Sequence, residues 1–172
     1  MTLMVDVNAL KNIELFQYLD LDDLKDLVPL FDYETFQVND VIFKEGDVGD
    51  TLCIIIEGDV SVGRKIGEDE DLVLAKFGKN SFFGEISLID EKPRSATIKA
   101  LSDGSYYWMK RDVFLRLLNS DPEMASKMLL SLATVFCNRL RKTGEQLRTY
   151  SLINKAMVEN EHFRKLYIAS HT

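Results

Sequence analysis

Residues 83–97 read Phe-Gly-Glu-Ile-Ser-Leu-Ile-Asp-Glu-Lys-Pro-Arg-Ser-Ala-Thr, with a glycine and a carboxylate opening a short predicted helix and an arginine beyond its far end. Gly84 carries no Cβ, so its backbone can approach a ligand closely, and the first N–H groups of a helix starting there point toward an anion. Glu85 can accept from ribose hydroxyls. Arg94 offers a planar fork of donors that matches two phosphate oxygens at once and keeps its charge at physiological pH. The combination suits a sugar phosphate. A Glu and an Arg at this separation, taken alone, are more simply a solvated ion pair contributing little. The surrounding Phe-Gly and Ser-Ala-Thr are what favour a ligand.

This segment resembles the phosphate-binding cassette of cyclic-nucleotide-binding domains, which runs Phe-Gly-Glu-Leu-Ala-Leu, a short loop, then Pro-Arg, a small residue, Ala and Thr. Ile86 stands for the leucine, Ser87 for the alanine, and Asp90-Glu91-Lys92 fills a loop where glycine is common. The resemblance implies a ligand set of Phe83, Gly84, Glu85, Ile86, Ser87, Arg94, Ser95 and Ala96, with Arg94 and Ser95 on the phosphate and Glu85 on the ribose. The stretch from Val41 to Val60 also looks like the family's early strands, so the resemblance extends over roughly residues 8–148. Comparison with the bacterial catabolite activator branch implies that Arg139 lies near Glu85 and Thr143 at the base; solvated helix residues are the alternative for both. Ser95, where cyclic-GMP-selective relatives often carry threonine, leans toward cAMP and leaves cGMP open.

These residues need a scaffold, and the chain has the means to build one. With 172 residues, 46% of them hydrophobic, it can bury a full core in one domain. Its net charge of −7 opposes broad attraction to nucleic acid, whereas a desolvated arginine acts locally on an anion. Cys53 and Cys137 belong to no CxxC or Cys/His cluster, and both histidines, His162 and His171, sit near the C-terminal end. Neither catalysis nor a metal site is therefore expected, and no cofactor. Met1–Leu10 lacks a charged start followed by an apolar run, and the apolar stretch Met128–Cys137 is too short to span a bilayer. The expectation is a cytoplasmic protein without membrane contact.

Eight of the nine glycines fall between Gly46 and Gly104, which marks the middle of the chain as the β part. Before it, Leu10, Ile13, Leu15, Leu19, Leu24 and Leu27 recur at helical spacing. From Tyr33 on, Val41–Phe43, Leu52–Ile56, Val60–Val62, Leu72–Leu74, Thr97–Leu101 and Ser105–Met109 read as strands. Glu57-Gly58-Asp59 and Ser102-Asp103-Gly104 read as hairpin turns, the latter with positive φ, and Lys65–Asp71 as a charged loop. Asp121-Pro122 opens a long helix whose Leu129, Leu132, Phe136, Leu140, Thr143, Leu147, Tyr150, Ile153 and Met157 form an apolar stripe. Gly144 is a possible hinge in it, and Ser151–Thr172 reads as a further amphipathic helix.

The expected fold is α+β and mainly β: an eight-stranded jelly-roll β-barrel with N-terminal helices, an inserted phosphate-binding helix and long C-terminal helices. The segments are 1–32 (helical), 33–110 (jelly roll) and 111–172 (lid and dimerisation helices), making one domain overall. The expected function is non-enzymatic sensing of a cyclic mononucleotide, with the C-terminal helix forming a homodimer or binding a protein partner. A ligand-free interaction module on the same fold is the rival, as is a DNA-binding regulator; residues 149–172 are too few for a helix-turn-helix, so no nucleic acid partner is expected.

Overall fold

The computed structural model describes residues 7–66, 70–161, 165, 168 and 169. It divides into two compact units, Met1–Ser131 and Leu132–Thr172. In the first unit, helices α1 (Val7–Lys11) and α2 (Leu21–Leu27) precede strands β1 (Asp32–Phe36), β2 (Val41–Phe43), β3 (Thr51–Glu57), β4 (Val60–Ile66), β5 (Glu70–Phe77) and β6 (Phe82–Phe83). Helix α3 (Glu85–Asp90) is followed by β7 (Thr97–Ala100), β8 (Gly104–Lys110), α4 (Arg111–Ser120) and α5 (Pro122–Glu159), which continues into the second unit.

The strands form two antiparallel four-stranded sheets, in the orders β1-β8-β3-β6 and β2-β7-β4-β5. Among the described residues no strand pairs across from one sheet to the other, so the expected closed barrel is corrected to a sandwich. Its core draws Phe36, Cys53, Ile55, Phe83 and Tyr106 from the first sheet and Val60, Ile98 and Ala100 from the second. The first sheet is covered on both faces, which is why Leu52, Cys53, Ile54 and Ile55 are all buried in succession. On its outer side Tyr107 lies 6.5 Å from Phe31, which in turn lies 6.1 Å from Phe16 (ring centroids), so the N-terminal helices form the second cover. The second sheet alternates instead: Ile98 and Ala100 point to the core and Lys99 to solvent.

Both expected hairpins are crossings between sheets. Residues Glu57-Gly58-Asp59 carry the chain from β3, paired with β8 and β6, to β4, paired with β7 and β5; Leu101–Asp103 link β7 in the second sheet to β8 in the first. The tight turn at Gly58 is real, with φ +86°, but Gly104 is not in the left-handed region. Its lack of a Cβ serves contact: one would sit 2.2 Å from the Glu57 carbonyl oxygen and 2.5 Å from the Phe36 ring, because the two crossings pass side by side. The charged loop also shrinks. Lys65 pairs with Asp71 and Ile66 with Glu70 in the β4–β5 ladder, so only 67–69 remain between the strands, outside the described residues.

Asp20 caps α2 by accepting from the Asp22 and Asp23 amides, both at 2.9 Å, while Asp23 accepts from the Asp20 amide at 3.0 Å. Asp23 also accepts from Lys127 Nζ at 2.8 Å, joining α2 to the first turns of α5, and this bond holds the Lys127 ammonium pKa above its ordinary value. Asp121 caps α5 as expected, accepting from the Met124 amide at 2.9 Å. There the covered side runs through Met124, Ala125, Met128 and Ser131, whereas Leu129, placed in the stripe, is exposed. In the second unit α5 continues unbroken through Gly144 and Ser151 to Glu159, so the first part of the expected extra helix belongs to α5. Phe163, Leu166, Tyr167 and both histidines lie outside the described residues. No helix among the described residues is long and apolar enough to cross a membrane.

Candidate functional site

The site starts where β6 ends. Pairing of Phe83 with Cys53 and of Phe82 with Ile54 holds β6 against β3, and Gly84, at φ +88° and ψ −3°, turns the chain into α3. A Cβ on Gly84 would stand 2.4 Å from the Thr51 carbonyl oxygen and 2.8 Å from Arg94 Nη1. Glycine is thus required twice, by the left-handed turn and by what crowds against it. Glu85, the first residue of α3, is only 2% exposed.

Arg94 reaches the same point from the other end of the cassette. Its amide donates to the Asp47 carbonyl at 2.8 Å, and its carbonyl accepts from the Gly46 amide at 2.9 Å, so the residue is fixed to the 46–47 loop. Nη1 donates to the Thr51 carbonyl at 2.9 Å and the Gly84 carbonyl at 3.3 Å, and Nη2 to Thr51 Oγ1 at 2.6 Å. The guanidinium carbon lies 4.0 Å from the Phe43 ring centre, with the Phe83 ring 5.5 Å further on. This cation is 4% exposed, forms no ion pair among the described residues, and leaves Nε without a hydrogen-bond partner. Burial pushes its pKa down, opposed chiefly by the nearby Cys53, Asp50, Glu85 and Asp47. A cavity of about 320 Å³ adjoins it, lined in part by Thr51, Phe43, Cys53, Tyr106 and Trp108.

Arg94 Nη1 thus meets the Gly84 carbonyl at the start of α3, and the Glu85 carboxylate is near enough to act on its charge. Ser87 is buried, and its Cβ is so close to Gly49 that a Cβ at position 49 would stand 2.1 Å from it, so glycine is what lets the two pack together. Ile86 and Ser95 are exposed, and Ala96 is buried. Arg139 and Thr143 belong to the second unit, where Thr143 Oγ1 donates to the Arg139 carbonyl at 2.9 Å. Sequence reasoning missed Thr51 and Phe43, the partners of the guanidinium. Neither residue type signals such a role, and both lie more than forty positions from Arg94.

The two cysteines differ sharply. Burial pushes the Cys53 thiol up to about 12, with the Arg94 charge and the Thr51 side chain pulling the other way, whereas Cys137 is exposed. At pH 8 an aromatic disulfide reagent should titrate one thiol per native chain and a second only after denaturation; two fast thiols would contradict the closed packing around Cys53.

A family model described as the cyclic nucleotide-binding domain matches residues 33–121, which contain every element of the Arg94 site. The chain belongs to this family. The cyclic nucleotide-binding domain here is 33% identical over 106 residues to a CRP-like cAMP-activated global transcriptional regulator of Mycobacterium tuberculosis, covering 62% of this chain and 46% of that one. The chain thus spans less than half the length of that relative. Among solved structures it is similar to a cyclic nucleotide-binding domain from Methylobacillus flagellatus, with TM-score 0.75 and 26% identity over 84% of this chain and 81% of that one. It also resembles the regulatory domain of Toxoplasma gondii PKA co-crystallised with cAMP, with TM-score 0.59 and 27% identity over 64% of this chain and 42% of that one.

Proposed function

We propose that this chain is a non-enzymatic sensor of a 3′,5′-cyclic mononucleotide, cAMP in the first instance, built on strands wound as a jelly roll. The observation that carries the reading is the Arg94 guanidinium: buried, without an ion pair among the described residues, and with Nε left without a hydrogen-bond partner. Removing such a cation from water costs several kcal/mol unless an anion compensates. A cyclic phosphate is an anion of suitable size and takes charge-assisted bonds from a guanidinium. In this reading Arg94, Ser95 and the Ala96 amide hold the phosphate, while Glu85 and the Gly84 backbone hold the ribose. Phe83, Ile86 and Ser87 shape the surrounding cassette. Arg139 and Thr143 are kept as candidate ligand residues of α5, and occupancy is signalled through α5. The signal is limited to the difference in ligand affinity between two positions of that helix.

The named relatives, a cAMP-activated regulator and a kinase regulatory domain holding cAMP, support this ligand, and Ser95 after the cassette arginine favours cAMP over cGMP. Isothermal calorimetry with cAMP, cGMP and AMP tests it. The expected result is one site per chain with cAMP the tightest ligand. Tighter cGMP binding would reassign the base, and heat from none of the three would leave a ligand-free interaction module.

Self-association through α5 completes the proposal. Leu140, Leu147 and Tyr150 are 74%, 64% and 65% exposed on α5, and Leu152 and Val158 further along it are exposed as well. Sedimentation should give a dimer that Leu140→Glu dissociates; a monomeric wild type would remove this element. A net charge of −7 argues against nucleic acid as the partner and is compatible with a cytoplasmic setting.

A further inference from the structure

Arg111, the first residue of α4, is absent from the ligand set above, yet it touches both halves of the site's frame. Its Nε donates to the Leu88 carbonyl at 2.9 Å, its Nη2 pairs with the Glu91 carboxylate, and its own amide donates to the Asp50 carbonyl at 2.7 Å. Leu88 in turn donates its amide to the Gly84 carbonyl at 3.2 Å, the same oxygen that accepts from Arg94 Nη1. Arg94 also donates to Thr51, the residue after Asp50. The contacts close into a ring running Arg111, Leu88, Gly84, Arg94, Thr51, Asp50 and back to Arg111.

We infer that Arg111 is a positioning residue that sets the placement of α3, and with it Glu85 and the Gly84 carbonyl, relative to Arg94. The inference rests on the cyclic-nucleotide reading of the site. Helix α3 has six residues, too few to persist on its own, and its N-cap makes no side-chain bond. Its C-terminal carbonyls are therefore where a fixed external donor has leverage, and a cation there also suits the helix dipole. The other end of the ring is firm, because β3 lies between β8 and β6. Without Arg111 the helix keeps its buried Leu88 but loses its tie to the start of β3. The ribose side of the site then drifts while the phosphate side, held by Thr51, stays.

This separation gives a readout that a merely structural role would not produce. In the wild type, 2′-deoxy-cAMP should bind about tenfold more weakly than cAMP, as expected for losing one hydrogen bond to a charged group. Arg111→Ala should weaken cAMP about tenfold and bring the preference for the 2′-hydroxyl below about threefold, a non-additive outcome marking coupled sites. Arg111→Lys, able to satisfy only one of the two acceptors, should fall between. An unchanged preference in Arg111→Ala would overturn the inference. Amide exchange provides an arm without nucleotide: Leu88 and Glu91 should lose protection in Arg111→Ala while Tyr107 in β8 keeps it, and equal protection in both proteins would overturn the inference. A wild type that binds neither nucleotide removes the ligand assignment, and exchange then decides by itself whether Arg111 holds α3.

Discussion

Arg94→Ala lowers cyclic-nucleotide affinity by at least about 100-fold while the protein stays folded. Hydrogen bonds to charged groups contribute about 1.5–3 kcal/mol each, and a bidentate phosphate contact loses two of them. The effect on the fold is a balance of opposing terms. Truncation takes the guanidinium from the Thr51 carbonyl and hydroxyl, at about 1–3 kcal/mol for a buried acceptor with no replacement, while the Gly84 carbonyl keeps the Leu88 amide. It also removes a buried cation that has no ion pair among the described residues, which relieves a desolvation penalty of similar size. The two nearly cancel, so denaturant midpoints should move little compared with the change in binding. Arg94→Lys separates charge from shape: one ammonium cannot reach Thr51, Gly84 and a phosphate together, and the expected loss is about tenfold. Calorimetry alongside urea unfolding checks both halves. An alanine variant that binds within threefold of wild type would sink the assignment of the guanidinium to the ligand.

The parts of this site that were legible in the sequence are those fixed by local spacing. Phe83-Gly84-Glu85 and Pro93-Arg94-Ser95 bracket a helix and loop whose length determines where the arginine returns, and Gly84 marks a close backbone approach, which in the structure is made by Thr51 and Arg94. The partners of the guanidinium were not legible. Thr51 and Phe43 are placed by β3 pairing with β6 and by β2 pairing with β7, contacts between segments far apart in the chain. The same limit explains the two misread turns. Gly58 adopts positive φ whether the next strand stays in its sheet or leaves it, so turn chemistry gives the tightness and not the destination. The destination depends on β4 finding β7 and β5 while β3 keeps β8. Strand β6 escaped notice for another reason: two residues are too few to show a period.

Gly84→Ala tests the steric half of the arrangement, and its expected effect on stability is large. At φ +88° an L-residue is strained by about 1–2 kcal/mol. The new methyl would also stand 2.4 Å from the Thr51 carbonyl oxygen, which belongs to a strand paired on both sides and cannot retreat freely. Overpacking of this kind adds about 1–3 kcal/mol. The total, about 2–5 kcal/mol, is a large share of the 5–15 kcal/mol that keeps an ordinary domain folded. Binding should fall with it, because the easiest relief is to push Arg94 Nη1, 2.8 Å from the methyl, off the Gly84 carbonyl. Gly144→Ala is the control of opposite sign: nothing lies within 4 Å of the added carbon, and alanine in a helix is favoured over glycine by about 1 kcal/mol. Urea unfolding of the two variants should therefore move the midpoint in opposite directions. If Gly84→Ala unfolds like wild type and still binds, the guanidinium is not held by the crowding of Gly84 and Thr51, and its burial needs another cause.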